Sequence, residues 1–318
     1  MAAFSADNLY RLRHRPPGEK LLDNSFRSLV MILALMVALI LLGIFVIVGS
    51  QAWEAIKTFG INFVFSSTWD PVRDVYGAFT AIYGTLLTSL LALVFAIPLG
   101  VGTAIFLTED FIGSKLRKVI SNMVELLAAI PSVVLGLWAI FVLEPFIRPI
   151  LQFIHNVLGW IPFFSTNPSG PGVMPAVLIL TVMLLPIITA ISRDSLNQVP
   201  TDLRQAAYGV GATRWTTIIK VMIPAAISGI IGGIMLALGR AMGETMAVTM
   251  IIGNQTTFNI SWFAPGNTIA SLIANQFGEA GDLQMSALMY AALVLMLITL
   301  LVNVLAQWIV KRLALQYE

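Results

Sequence analysis

From Ser28 to Val48 the chain carries no charged residue, and five further apolar stretches follow at intervals. A run of that length and purity does not form the core helix of a small soluble domain. It matches the roughly 20 residues that an α-helix needs to cross about 30 Å of hydrocarbon. The first run also exceeds the ~7–15 residues of a signal-peptide core, so it reads as an uncleaved anchor. The other five read as Ala78–Leu107, Val119–Leu143, Val173–Ser192, Ile227–Ile252 and Ser286–Val310. Composition agrees. Only 11% of residues are charged against 58% hydrophobic, and the mean hydropathy is +0.89. A soluble surface needs about twice that charge, whereas lipid-facing surface needs none.

The expected fold is therefore an all-α integral membrane protein with six transmembrane helices. Lys and Arg placement sets its orientation. Arg11, Arg13, Arg15, Lys20 and Arg27 lie before the first span, and Lys115, Arg117 and Lys118 follow the second. Arg193, Arg204, Arg214 and Lys220 follow the fourth, and Lys311 and Arg312 follow the sixth. That places fourteen on one side. Lys57, Arg73 and Arg148 fall on the other, and Arg240 lies inside a span. By the positive-inside rule both termini are expected in the cytoplasm. The outer loops, 49–77, 144–172 and 253–285, hold Trp53, Trp69, Trp160 and Trp262 at interfacial positions.

Several chemistries are excluded or unsupported. There are no cysteines. His14 and His155 are too far apart in sequence to suggest a metal site, and His155 reads as a surface loop residue. No phosphate-binding Gly-x4-Gly-Lys-Ser/Thr motif occurs, so any ATP would be held by another chain. No Ser/Lys, zinc-binding or paired-Asp arrangement marks an intramembrane enzyme.

The loop after the fourth span has the most specific pattern. Gln205, Ala206 and Ala207 precede Gly209 and Gly211, and Val221, Met222, Ile223 and Pro224 follow after nine residues. Thr201 is placed to cap a short helix from Asp202 to about Tyr208. Gly209 and Gly211 end it, Thr213 caps a second helix through Met222, and Pro224 stops that one. The product is a helix–glycine turn–helix hairpin projecting from the membrane.

Arg240 and Glu244 carry the chemistry of the fifth span. Arg240 lies near the middle of the expected helix, where a charge is expensive, and Glu244 is one turn farther along the same face. Either the two form a self-neutralised structural pair, or Arg240 lines a pathway and offers its planar guanidinium to an oxyanion. Glu125 lies inside the expected third span and needs a partner; Pro131 is a possible kink or gate there. Pro98 and Pro186 are expected to kink the second and fourth spans. Gly229, Gly233, Gly239 and Gly243 allow close packing against another helix.

The hairpin pattern resembles the Glu-Ala-Ala loop of ABC importer permeases, with Gln205, Val221 and Ile223 replacing the usual Glu, Ile and Leu. Ile82-Tyr83-Gly84-Thr85, Glu125-Leu126-Leu127-Ala128-Ala129-Ile130-Pro131-Ser132 and Gly239-Arg240-Ala241-Met242-Gly243-Glu244-Thr245-Met246-Ala247-Val248 look like the phosphate-specific permeases of the PstC type. The resemblance runs from about Trp69 to the C-terminus. It implies a type I ABC importer fold, with a cytoplasmic tail at 1–27 and a peripheral first helix and outer segment at 28–77. It further implies a five-helix core at 78–312, a coupling loop at about 201–224 and a cytoplasmic end at 313–318.

It also implies a non-enzymatic permease in the bacterial inner membrane that moves phosphate by alternating access. No cofactor sits on this chain; ATP and Mg belong to two ATPase subunits, and a PstA-type permease and an extracytoplasmic phosphate-binding protein are the other partners. The alternatives are a permease for another oxyanion, sulfate or molybdate, and an ion-coupled secondary transporter. The latter would lack membrane-embedded acids for coupling.

Overall fold

Six helices long and apolar enough to cross a membrane emerge in a computed structural model that describes residues 17–314. The tail positions Arg11, Arg13 and Arg15, and residues 315–318, lie outside the described residues. So do the side chains of Lys20, Lys311 and Arg312. The first helix, α1 (Pro17–Gln51), forms a unit by itself.

The second unit begins at Gln51, so the segment 51–77 belongs with the core, whereas the resemblance groups it with the first helix at 28–77. Its short helices α2 (Trp53–Phe59) and α3 (Asn62–Phe65) lead into a small hairpin, β1 (Trp69–Asp70) and β2 (Val75–Tyr76). Its antiparallel register pairs Trp69 with Tyr76. This cap is held by aromatic burial: the rings of Phe63 and Tyr290 stack with centroids 4.4 Å apart. Trp69 Nε1 donates to Gln276 Oε1 at 2.7 Å.

The second span, α4 (Phe79–Thr108), packs along the fourth, α8 (Val173–Asn197). Ala92, Ala96, Gly100 and Ala104 recur every four residues on one buried face of α4. Their small size lets the helices touch. A Cβ at Gly100 would lie 2.8 Å from the Ile188 side chain, and Thr189 Oγ1 donates to the Gly100 carbonyl at 3.2 Å. Thr85, Thr88 and Ser89 donate to carbonyls one turn back, at 2.7–2.8 Å, which satisfies hydroxyls in an apolar setting. Both α4 and α8 continue as helices through Pro98 and Pro186.

The third span is displaced from its expected place. Residues Ser114–Ala129 form α5, an amphipathic helix with no buried residue. The crossing candidate runs from Ser132 to Leu158. It consists of α6 (Ser132–Trp138), a π-turn (Ala139–Leu143) and α7 (Glu144–Leu158). Glu125 is therefore exposed on α5 and not buried within a span, and Pro131 is the joint between two helices. The expected outer loop at 144–172 is largely helix. His155, on its last turn, is half-buried with Nδ1 2.7 Å from the Phe164 carbonyl.

The fifth span is also displaced, to Arg214–Gly243. After α9 (Thr201–Gly209) come α10 (Arg214–Thr217), a π-turn (Ile218–Met222) and α11 (Ile223–Gly243). Pro224 does not stop the helix. The π-turn immediately before it widens the backbone where the proline lacks an N–H and its ring needs room. Gly229 and Gly233 pack within the chain: a Cβ at Gly229 would meet Ser195, and one at Gly233 would meet Ile191, both on α8. A short helix, α12 (Met246–Ile251), follows the break at Glu244. A long ordered loop, α13 (Ile269–Gln276) and the sixth span, α14 (Asp282–Ala314), complete the chain. The fourth span is the most enclosed of the six, with 67% of its apolar window buried; α4 and α11 flank it.

Candidate functional site

Two of the four sequence motifs, Glu125–Ser132 and Gly239–Val248, meet in this bundle. Arg240 stands in the last turn of α11 and borders two cavities. One, of about 60 Å³, is walled by Leu127, Ala128 and Ile130 from the α5–α6 joint, by Leu135, and by Met183, Pro186 and Ile187 from α8. The other, of about 470 Å³, is lined by Ile187, Met235, Leu236, Gly239 and Asn303. Arg240 is the only charged residue in either lining. A helix end, the joint at Pro131 and the helix-internal Pro186 thus converge on one guanidinium.

Glu244 does not share a helical face with Arg240. The helix ends at Gly243, and Glu244 takes an extended backbone (φ −68°, ψ 121°). Its Oε1 accepts from the Ala247 N–H at 3.4 Å, at the start of α12. Among the described residues no carboxylate pairs with Arg240. Glu125 finds a different arginine: Arg193 Nη1 lies 3.3 Å from Glu125 Oε1 and also donates to Ser121 Oγ, tying α5 to α8.

The hairpin forms about its expected glycine turn, with differences at the helix ends. Pro200, not Thr201, precedes α9, and no side chain caps it. Its far end closes in a Schellman turn. Ala212 N–H donates to the Ala207 carbonyl at 3.0 Å, and Gly211 N–H to the Tyr208 carbonyl at 3.0 Å. That geometry requires a left-handed residue, and Gly211 supplies it at φ +85°. Gly209 remains within α9. Thr213 caps α10, its Oγ1 accepting from Thr216 N–H at 3.3 Å. Gln205 and Ala206 are exposed and Ala207 is buried. Around them Leu203, Tyr208, Val210 and Trp215 are exposed, Val210 to 86%. These large apolar side chains stand exposed among the polar residues of the hairpin.

The Ile82–Thr85 motif serves packing. A Cβ at Gly84 would fall 1.9 Å from the Asn267 carbonyl oxygen, and Thr85 Oγ1 accepts from Ile269 N–H at 3.0 Å. Glycine and threonine at these positions seat the loop before α13 on the start of α4.

Sequence reasoning missed one charged site. Glu109, at the end of α4, is only 3% exposed and contacts Arg204 and Arg214 from the hairpin. No local periodicity links residues about a hundred positions apart; the one available signal was an acid between an apolar run and a basic loop.

Residues 96–315 match the family described as "Binding-protein-dependent transport system inner membrane component". The chain is 43% identical to the phosphate transport system permease protein PstC of Mesorhizobium japonicum, over 92% of this chain and 91% of that one. It is 42% identical to PstC of Haemophilus influenzae, over 92% and 94%. Among solved structures, it resembles a bacterial ABC transporter involved in the import of the acidic polysaccharide alginate, with TM-score 0.60, 18% identity and coverage of 92% and 99%. It also resembles the inward-facing MetNI methionine ABC transporter, with TM-score 0.57, 20% identity and coverage of 77% and 99%. These two likenesses concern the fold.

Proposed function

The chain belongs to the PstC family of binding-protein-dependent inner membrane permeases, and from that premise we propose that it forms part of the membrane pathway through which an ATP-driven importer moves inorganic phosphate. The single observation that carries the mechanism is the hairpin Thr201–Thr217, with its glycine turn and its exposed Leu203, Tyr208, Val210 and Trp215. A rigid projection of this kind suits a cleft on a cytoplasmic ATPase. Gln205, Ala206, Ala207 and Gly211 then lie at the contact, and Pro224 opens α11, inside the fifth span just past the π-turn.

ATP and Mg belong to two ATPase subunits, and this chain hydrolyses nothing itself. A PstA-type permease completes the pathway, and an extracytoplasmic phosphate-binding protein delivers the ion. Both termini face the cytoplasm, on the side favoured by the Lys and Arg distribution. Closure of the ATPases on ATP displaces the hairpin and alternates access to the cavities at Arg240. There a guanidinium that pairs with no carboxylate among the described residues offers two-pronged hydrogen bonds to phosphate oxygens in apolar surroundings. Glu244, at the helix end beside it, holds the start of α12.

The test is uptake into liposomes holding the complete complex. Phosphate accumulation is expected only with ATP and the binding protein, and sulfate should be moved poorly. Uptake driven by an ion gradient without ATP would replace this reading with a secondary transporter. Preference for sulfate or molybdate would reassign the cargo.

A further inference from the structure

Glu109 ends α4 as its C-cap: its N–H donates to the Ile105 carbonyl at 2.9 Å, and its own backbone is extended (φ −87°, ψ 152°). A carboxylate this buried needs charged partners. It has two, one on each side of the glycine turn. Arg204 Nη2, on α9, lies 2.9 Å from Glu109 Oε1, and Arg214 Nε, opening α10, lies 3.3 Å from Oε2. The Arg214 guanidinium also sits over the Phe111 ring, 4.0 Å from its centroid. Phe111 in turn meets Trp215 at 5.6 Å. Beneath these groups Ala104, Leu196, Ile218 and Met222 form a separate apolar cluster.

We infer that Glu109 is a positioning residue that binds both arms of the hairpin to the end of α4, so that displacement of the hairpin moves α4 with it. This rests on the proposed coupling role of the hairpin. The chain itself joins the hairpin to α8 and α11; α4 has no covalent link to it, and Glu109 supplies the polar one. An ion cluster so placed is a poor stability device, because apolar residues of similar volume would serve as well. It fixes orientation instead, holding two helices that the Gly211 turn would otherwise let swing. At 1.5 Å per residue, α4 is about 45 Å long. Its far end carries Gly84 and Thr85, which seat the loop at Asn267 and Ile269. Glu109 therefore connects the hairpin to a rod that ends at the opposite face of the bundle.

The experiment measures ATP hydrolysed per phosphate taken up by the reconstituted complete complex, normalised to assembled complex. Glu109→Gln is expected to keep hydrolysis within about twofold of wild type while uptake falls about tenfold, the size of losing a charge-assisted contact on the limiting step. Arg204→Gln, which severs only the α9 arm, should raise the same ratio by less. Added to Glu109→Gln it should change nothing further, since residues in one network are not additive. Glu109→Asp, which keeps the charge, should recover part of the coupling.

A wild-type ratio in Glu109→Gln overturns the inference, as does a proportional fall of hydrolysis and uptake. If Glu109→Gln does not assemble, Arg204→Gln decides: its partner keeps Arg214, and an unchanged ratio sinks the proposal. Wild-type complex in the same vesicles separates the two readings. Failure of its ATP-dependent phosphate uptake counts against the function, whereas success with an unaltered Glu109→Gln ratio counts only against Glu109.

Discussion

Two Glu and Arg pairs with the same four-residue spacing end up in opposite states. Glu144 and Arg148 lie in one unbroken helix, and Arg148 Nε and Nη2 donate to the two carboxylate oxygens at 2.8 and 2.6 Å. Arg240 and Glu244 are separated by the end of α11, and they do not pair. Order and continuity explain the difference. Glu before Arg is the favourable direction on a helix, and Arg before Glu is the weaker one. The second pair has Gly243 between its members, which weakens the helix where it would need to continue. One charge is closed by its neighbour and becomes part of the scaffold. The other is left facing two apolar cavities.

The largest expected effect comes from the open arginine. Arg240→Gln removes the charge and keeps a polar group of similar reach. Losing a charge-assisted hydrogen bond costs about 1.5–3 kcal/mol, or roughly one to two decades in uptake if it acts on the limiting step. Because Glu244 is not bound to Arg240, the double change Arg240→Gln with Glu244→Gln should assemble normally and transport no better than the single one. Uptake restored in the double variant, measured per assembled complex, would mean that the two residues neutralise each other after all.

The closed pair should respond in the opposite way. Glu144 is buried, whereas Arg148 keeps 41% of its side chain exposed. Arg148→Gln strands a buried carboxylate and should lower the thermal midpoint of the purified complex more than Glu144→Gln, which strands an exposed guanidinium. Both should leave uptake per assembled complex at the wild-type level. A specific loss of uptake, with the midpoint unchanged, would place this pair in the pathway rather than in the scaffold.

These two pairs also show what could be read from the chain alone. The number of spans follows from hydropathy, and four of the six helices lie close to their apolar runs. The third was misplaced because Glu144 and Arg148 look like loop residues until they are seen to neutralise each other within a helix. The largely apolar run at Val119–Leu143 then drew the span toward the N-terminus. The fifth was misplaced because Pro224 is ordinarily a stop, and a π-turn that accommodates proline has no plain sequence signature. The hairpin was legible because its turn depends on Gly211, a local requirement. Arg240 was legible as a rare charge. Its surroundings were not, since they come from α5, α6, α8 and α14. Glu109 depends on Arg204 and Arg214, and contacts across such separations leave no mark on periodicity.

The smallest effect tests whether the helix break itself keeps Arg240 open. Gly243 ends α11 without a positive φ, and a Cβ there would meet nothing within 4 Å. Gly243→Ala should therefore fit while favouring continuation of the helix by about 1 kcal/mol. Continuation would carry Glu244 onto the turn above Arg240, where pairing adds roughly 0.2–0.5 kcal/mol. Together these bias the region toward the closed state about seven- to twelvefold. The expected result is a severalfold loss of phosphate uptake with normal assembly. Adding Glu244→Gln removes the pairing but leaves the longer helix, so it should restore only part of the loss. Full restoration would assign the effect to the ion pair alone, and no restoration would assign it to the helix extension. Wild-type uptake in Gly243→Ala would show that neighbouring packing, rather than the glycine, holds the two charges apart.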